Sequence, residues 1–152
     1  MADALDQTGM AKNLLSIKGI GVVTAASFVG EAGDLARYED WRQLRKMAGL
    51  NLTENSSGEH KGKTGISKRG RPGLRCILYQ ASLILVATNP EFKALYQYLK
   101  NRRENPLKGK QALVMIACKL LRVMFTLVKE NRLYDPEKVL GVYRDQLLRR
   151  VA

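Results

Sequence analysis

Residues 74–88 read LRCILYQASLILVAT, a run that is apolar nearly all round a helix and carries one charge, Arg75, at its start. A helix without a polar face has to be surrounded by other elements. A second run, QALVMIACKLLRVMFTLVK at 111–129, is apolar on most faces, with Lys119 and Arg122 on one side. Two such segments in 152 residues of 45% hydrophobic content dictate one sizeable core, and no alternating run of β-branched residues competes with them. The expected fold is all-α: one domain over 1–152, a helical bundle with core helices at 74–130 and at most a small β-hairpin around 62–66. Met115, Met124 and Trp41 are expected in that core. So are Cys76 and Cys118, which lie in apolar runs without a CxxC pair or a neighbouring histidine.

Local signals divide the rest of the chain. A short helix is expected over 5–15, and IKGIGVVTAA at 17–26 has the hydrophobe, Gly, hydrophobe, Gly order of a helix-hairpin-helix, here 14–33. Its glycines allow a tight turn and leave backbone N–H groups at the start of the next helix, where an anion is favoured by hydrogen bonds and by the helix dipole. Lys18, Gly19, Gly21 and Thr24 are therefore candidate phosphate contacts; an ordinary glycine turn between packed helices is the plainer alternative. Asp40 with Gln43 three residues on reads as a capping box for a helix containing Trp41, Leu44 and Met47 and ended by Gly49. Asn89-Pro90-Glu91 and Asp135-Pro136-Glu137 open two more helices, the last expected over 135–150. Glu31, Asp34, Glu39 and Asp40 read as helix ends and caps, and no metal ligands are assigned.

Between these helices lies NSSGEHKGKTGISKRGRPGLR at 55–75, the centre of a basic loop over 50–75. Lys61, Lys63, Lys68, Arg69, Arg71 and Arg75 are interleaved there with five glycines, so the segment belongs on the surface with its backbone open to close approach. Such cations suit phosphates. Ser56 and Ser57 stand beside Gly58, which makes a hydroxyl nucleophile held among phosphate-binding cations the sharper reading and a basic loop that only touches nucleic-acid backbone the plainer one. His60 is the one histidine and lies three residues from Ser57, close enough to be weighed as a base, although a solvated loop histidine is the commoner finding.

The net charge of +12 points to an anionic polymer as partner, nucleic acid first. The N-terminus is polar and acidic, and no charge-free run of about 18 apolar residues occurs, so neither a signal peptide nor a membrane span is expected and a cytoplasmic location is. A membrane-active role is disfavoured, since no helix has a strongly basic amphipathic face.

The succession IKGIGVVTAASFVGEAGDLARY, WRQLRKMAGL, NSSG, KGKTGISKRGRPGLR, an apolar helix and KLLRVMFTLVK resembles, over 14–129, the C-terminal transposase domain of the bacterial insertion-sequence 110/1111 family. The most specific signal is SG, six residues, then GISKRG and the trailing Leu74-Arg75. The resemblance implies a serine that attacks a DNA phosphodiester and becomes covalently linked to it, beside the metal-binding acids of an N-terminal RuvC-like DEDD domain. The serine before the glycine matches Ser57; Ser56 is the adjacent alternative and Ser67 a more distant one. It further implies DNA and a structured non-coding RNA as partners, a homo-oligomer for the full-length protein, and a divalent metal held in the DEDD domain, with no cofactor in this chain. Leu52 stands where many members carry a proline. With the hairpin reached about 15 residues from Met1, a DEDD domain has no room ahead of it, so a fragment or truncated product, inactive alone, is expected. The rival reading is a helix-hairpin-helix module that binds nucleic acid without covalent chemistry.

Overall fold

The two apolar runs become the two longest helices of the computed structural model, which describes residues 2–54, 58, 62–141, 144 and 147. In chain order the elements are α1 (Ala2–Asp6), α2 (Ala11–Leu15), α3 (Val22–Ala32), a 3-10 turn (Leu35–Arg37), α4 (Trp41–Met47), β1 (Leu52–Glu54), β2 (Thr64–Ile66), α5 (Pro72–Thr88), α6 (Pro90–Asn101), α7 (Gly109–Lys129) and α8 (Pro136–Leu140). The fold is an all-α bundle with one two-stranded antiparallel sheet. α5 packs on α3, α6 and α7, and α7 also touches α2 and α4. Phe28, Leu78, Leu85, Phe92, Ile116 and Leu120 meet in the interior at 1% exposure or less. Burying side chains of this size contributes roughly 1.5–3 kcal/mol each before entropy is counted.

α7 is long and apolar enough, by length and composition alone, to cross a membrane, with mean hydropathy 1.8. Its place in the bundle accounts for that composition: Ala112, Ile116, Leu120, Leu121 and Met124 are all buried against neighbouring helices.

Several expectations need correction. The helix expected over 5–15 is two helices, because Gly9 takes φ +71 and the Thr8 hydroxyl donates to the Leu5 carbonyl at 2.6 Å, closing a turn. α5 is not covered all round by the described residues: Leu83 and Ile84 are exposed, and Cys76 is exposed too. Cys118 is half-buried, and burial pushes its thiol up. Met115 is 41% exposed while Met124 is buried, so only one of the pair is core. Trp41 is half-buried, with the Arg45 and Arg122 guanidiniums 5.0 and 5.9 Å from its ring centroid. α8 ends at Leu140, where Gly141 takes φ +46, and most of the helix expected to reach 150 lies outside the described residues.

The caps are as their spacing demands. The Asp40 carboxylate accepts from the Arg42 N–H and the Gln43 side chain returns to the Asp40 N–H; the Arg42 backbone bond first, then its guanidinium, hold the Asp40 carboxyl below the usual range. Asp34 caps the 3-10 turn through the Ala36 N–H. Asn89, 1% exposed, does more than cap α6: its Oδ1 accepts from Glu91 and Phe92 N–H, and its Nδ2 donates to the Lys18 carbonyl at 2.9 Å and the Tyr134 hydroxyl at 3.2 Å. Tyr134 donates on to Glu91 Oε2 at 3.1 Å, and burial pushes its hydroxyl above the ordinary value, so it stays protonated. One amide thus fastens the α2–α3 turn to α6. Asn89→Ala should cost roughly 3 kcal/mol, about one for the cap and one for each Nδ2 bond. A lowered urea midpoint with unchanged slope would show it; a shift below about 1 kcal/mol would contradict this account.

Candidate nucleic-acid interface

The basic segment is mounted on the end of α4. Gly49 closes that helix at φ +71, with its N–H on the Lys46 carbonyl, and Arg45 Nε donates to Asn51 Oδ1 at 2.7 Å. β1 follows and pairs with β2 in the register Leu52↔Ile66, Thr53↔Gly65, Glu54↔Thr64. The chain then runs back along the end of α4, through Ser67 N to Asn51 O at 2.7 Å, Lys68 N to Gly49 O at 3.0 Å and Arg71 N to Met47 O at 2.7 Å. Two glycines make this contact possible. A Cβ on Gly49 would fall 2.7 Å from Arg75 Nη1 and 2.8 Å from the Arg69 carbonyl oxygen. Gly70, at φ +130, lies so close to the Met47 carbonyl that any side chain would overlap it.

The expected hairpin exists, but not as a turn within 62–66. Its strands flank 55–63, and Glu54 and Thr64 on either side of it are paired at about 5 Å, the spacing of antiparallel partners. Ser56, Ser57, His60 and Lys61 lie outside the described residues, so the candidate nucleophiles and the candidate base have no described geometry.

Of the remaining expected cations, Lys63, Lys68, Arg69 and Arg71 are exposed and Arg75 is half-buried. Arg71 Nη1 donates to the Glu31 carbonyl at 2.7 Å, and Arg75 Nη1 donates to the carbonyls of Ala48 at 3.2 Å and Lys68 at 3.3 Å. These two arginines tie the segment to α3 and α4, a structural duty that their charge alone does not reveal. The ion pairs among the described residues are Arg42–Asp40, Arg132–Glu130 and Lys138–Asp135, so none of the five cations is matched by a carboxylate. The result is a positive surface without ion-pair partners among the described residues, the electrostatic condition for holding a polyanion.

The helix-hairpin-helix lies elsewhere. Ile17 and Ile20 are buried and the turn closes through Ile20 N to Ile17 O at 3.0 Å. Gly19, at φ +102, packs against α5: a Cβ there would sit 2.6 Å from Thr88 Oγ1 and 3.0 Å from Leu85 Cδ2. Gly21 has open space around it and begins α3 without a side-chain cap, Lys18 is exposed beside it, and Thr24 is half-buried. At the other end of α3, the Glu31 carboxylate lies against Gly73. α3 therefore runs antiparallel to α5, and the hairpin and basic segment occupy opposite ends of the pair, separated by the roughly 24 Å rise of α5 at 1.5 Å per residue.

Two residues that no local pattern singles out join the basic segment. Lys110, in the first turn of α7, and Tyr79 of α5 line a groove of about 660 Å³ with Lys68 and Arg75. Their meeting depends on α7 crossing α5, which nothing in either local sequence reports. Among the described residues no three His, Cys, Asp or Glu side chains converge as a metal site.

Residues 11–97 match the family model described as Transposase IS116/IS110/IS902 family, a span that holds the hairpin, both strands and the basic segment. The chain is 32% identical over 127 residues to the insertion element IS116 uncharacterized 44.8 kDa protein of Streptomyces clavuligerus, which covers 83% of this chain and 31% of that protein. It is 32% identical over 99 residues to the transposase for insertion sequence element IS1111A of Coxiella burnetii, covering 65% and 24% respectively. Over 127 residues it is 27% identical to the pilin gene-inverting protein of Moraxella bovis, covering 82% and 38%. The chain thus spans well under half the length of the relatives it matches.

Proposed function

Because the chain belongs to the IS116/IS110/IS902 family of transposases, we propose that it holds DNA and delivers a serine nucleophile, Ser57, to a phosphodiester during transposition. The observation that supports this reading is that Glu54 and Thr64, on either side of 55–63, are paired in the sheet, next to Lys63, Lys68, Arg69, Arg71 and Arg75, none of which forms an ion pair among the described residues.

In the proposed step the Ser57 oxygen attacks phosphorus, a serine O–P bond forms, and the P–O bond to one deoxyribose breaks. The departing sugar oxygen takes up a proton and the serine proton leaves to a base or to water. Negative charge builds on the non-bridging oxygens, and exposed cations beside the loop stabilise it, each by a few kcal/mol. The phosphoserine ester retains the energy of the broken linkage, so a new strand can displace the serine. The alternatives at Ser56 and Ser67 use the same chemistry. The divalent metal that the family resemblance implies finds no ligand set among the described residues, and Asp34 and Asp40 already act as caps. An RNA partner, a homo-oligomer of the full-length protein and a cytoplasmic location belong to the same proposal.

The test is to trap the covalent adduct with cognate DNA and full-length transposase, digest it and locate the nucleotide by mass spectrometry. A nucleotide on residue 57 supports the proposal; one on Ser56 or Ser67 reassigns the nucleophile; a protein that binds DNA but forms no adduct favours the binding module. Binding itself should weaken with salt, with a slope reduced by about 0.9 for each phosphate contact removed. Lys68→Ala and Arg69→Ala should each lower the slope by that amount at unchanged stability. Arg71→Ala should also lower the thermal midpoint, since it loses the bond to the Glu31 carbonyl.

A further inference from the structure

The groove between β2, α5 and α7 has a volume of about 660 Å³, within the usual range for a small-ligand site of roughly 300–1,000 Å³. Its walls combine two kinds of surface. Ile66, Tyr79 and Val114 are apolar or aromatic, while Lys68, Arg75 and Lys110 bring three positive charges, and no carboxylate is among the lining residues. Arg75 is held in place by the Ala48 and Lys68 carbonyls, so one rim is preset. Ile66 ends β2, which makes the groove continuous with the hairpin carrying segment 55–63.

We propose that this groove binds one unstacked nucleotide of single-stranded DNA, with its base against Tyr79 and its flanking phosphates on Lys68, Arg75 and Lys110. This rests on the reading that the chain acts on DNA, and adds that the strand handled at the hairpin is opened there. A duplex is too wide to enter a slot of this size. An unstacked base supplies the flat apolar face that Tyr79 and the aliphatic wall match, and its phosphates supply the charge that three cations without an ion-pair partner among the described residues match. An acidic peptide would satisfy the cations but gives the aromatic wall no comparable face. Strand opening beside a phosphodiester also frees the backbone to adopt the in-line geometry that attack requires.

Cys76, exposed in the groove wall, reports occupancy without any cleavage chemistry. The full chain is treated with a maleimide and the rate of modification at Cys76 is followed by peptide mass, free, with an eight-nucleotide oligo-dT, with oligo-U RNA and with a duplex. Saturating oligo-dT should slow Cys76 modification at least tenfold, and a duplex bound to the same extent should slow it less than twofold. Tyr79→Ala should weaken oligo-dT binding about tenfold and Tyr79→Phe should restore it; should Tyr79→Ala not fold, Lys110→Ala, at the exposed mouth, should give a comparable loss. Unchanged Cys76 reactivity with the single strand, equal protection by duplex, protection by oligo-U but not oligo-dT, or tight binding by both variants would overturn the proposal. Protection should persist in Ser57→Ala, so a failed nucleophile assignment and a failed groove assignment give different results.

Discussion

Ser57→Ala in the full-length transposase should abolish the protein–DNA adduct and lower strand cleavage by about four orders of magnitude or more, with DNA affinity changed less than about twofold. The size follows from what is removed. Deleting a nucleophile leaves binding and charge stabilisation intact but eliminates the covalent route, and such losses commonly reach about 10⁴- to 10⁶-fold. The affinity should hold because the cations proposed to contact the backbone, Lys63, Lys68 and Arg69, are separate side chains. A denaturing gel reads the adduct and fluorescence anisotropy reads the binding. An adduct that survives Ser57→Ala would move the nucleophile to Ser56 or Ser67, and equal losses of binding and cleavage would argue that residue 57 acts through the shape of the loop.

Gly70→Ala should be among the most damaging small substitutions in the chain. At φ +130 an alanine is strained by about 1–3 kcal/mol wherever it sits. Here its methyl would also overlap the Met47 carbonyl oxygen, with the carbonyl carbon only 2.8 Å away and Gly49 N at 3.2 Å. Relief requires the 67–71 stretch to lift from α4, breaking Arg71 N–Met47 O and Lys68 N–Gly49 O at about 1 kcal/mol each. The sum, roughly 3–5 kcal/mol, is a large part of the 5–15 kcal/mol that holds an ordinary domain together. Chemical denaturation with near-normal helical circular dichroism before the transition would show it. A loss under about 1 kcal/mol would mean that the segment is not seated on α4 as described.

Local rules carried most of the architecture. The Asp40–Gln43 box, the Asn89-Pro90 start and the positions of α3, α5 and α7 follow from spacings within a few residues, and the structure has them within two positions. What local spacing misses is which side of an apolar helix has a neighbour. Met115 and Met124 look alike in sequence, yet only Met124 faces the bundle; Cys76 lies on the side of α5 that faces the basic groove. The sheet was legible in part: TGI falls within the hairpin expected around 62–66, while LTE is too short to show alternation and pairs with it across the intervening loop. At the site, charge announced the cations but not their duties: Arg71 and Arg75 fasten backbone carbonyls, and Gly19, a candidate phosphate contact, is tightly packed against Thr88.

The antiparallel α3–α5 pair acts as a caliper. Its jaws are the Gly21 end of the hairpin and the Lys68–Arg71 stretch, set about 24 Å apart by the length of α5. At about 3.4 Å per base-pair step that opening corresponds to roughly seven steps of B-form DNA, about two thirds of a helical turn. A single duplex touched by both jaws would therefore meet them at positions about two thirds of a turn apart on its surface.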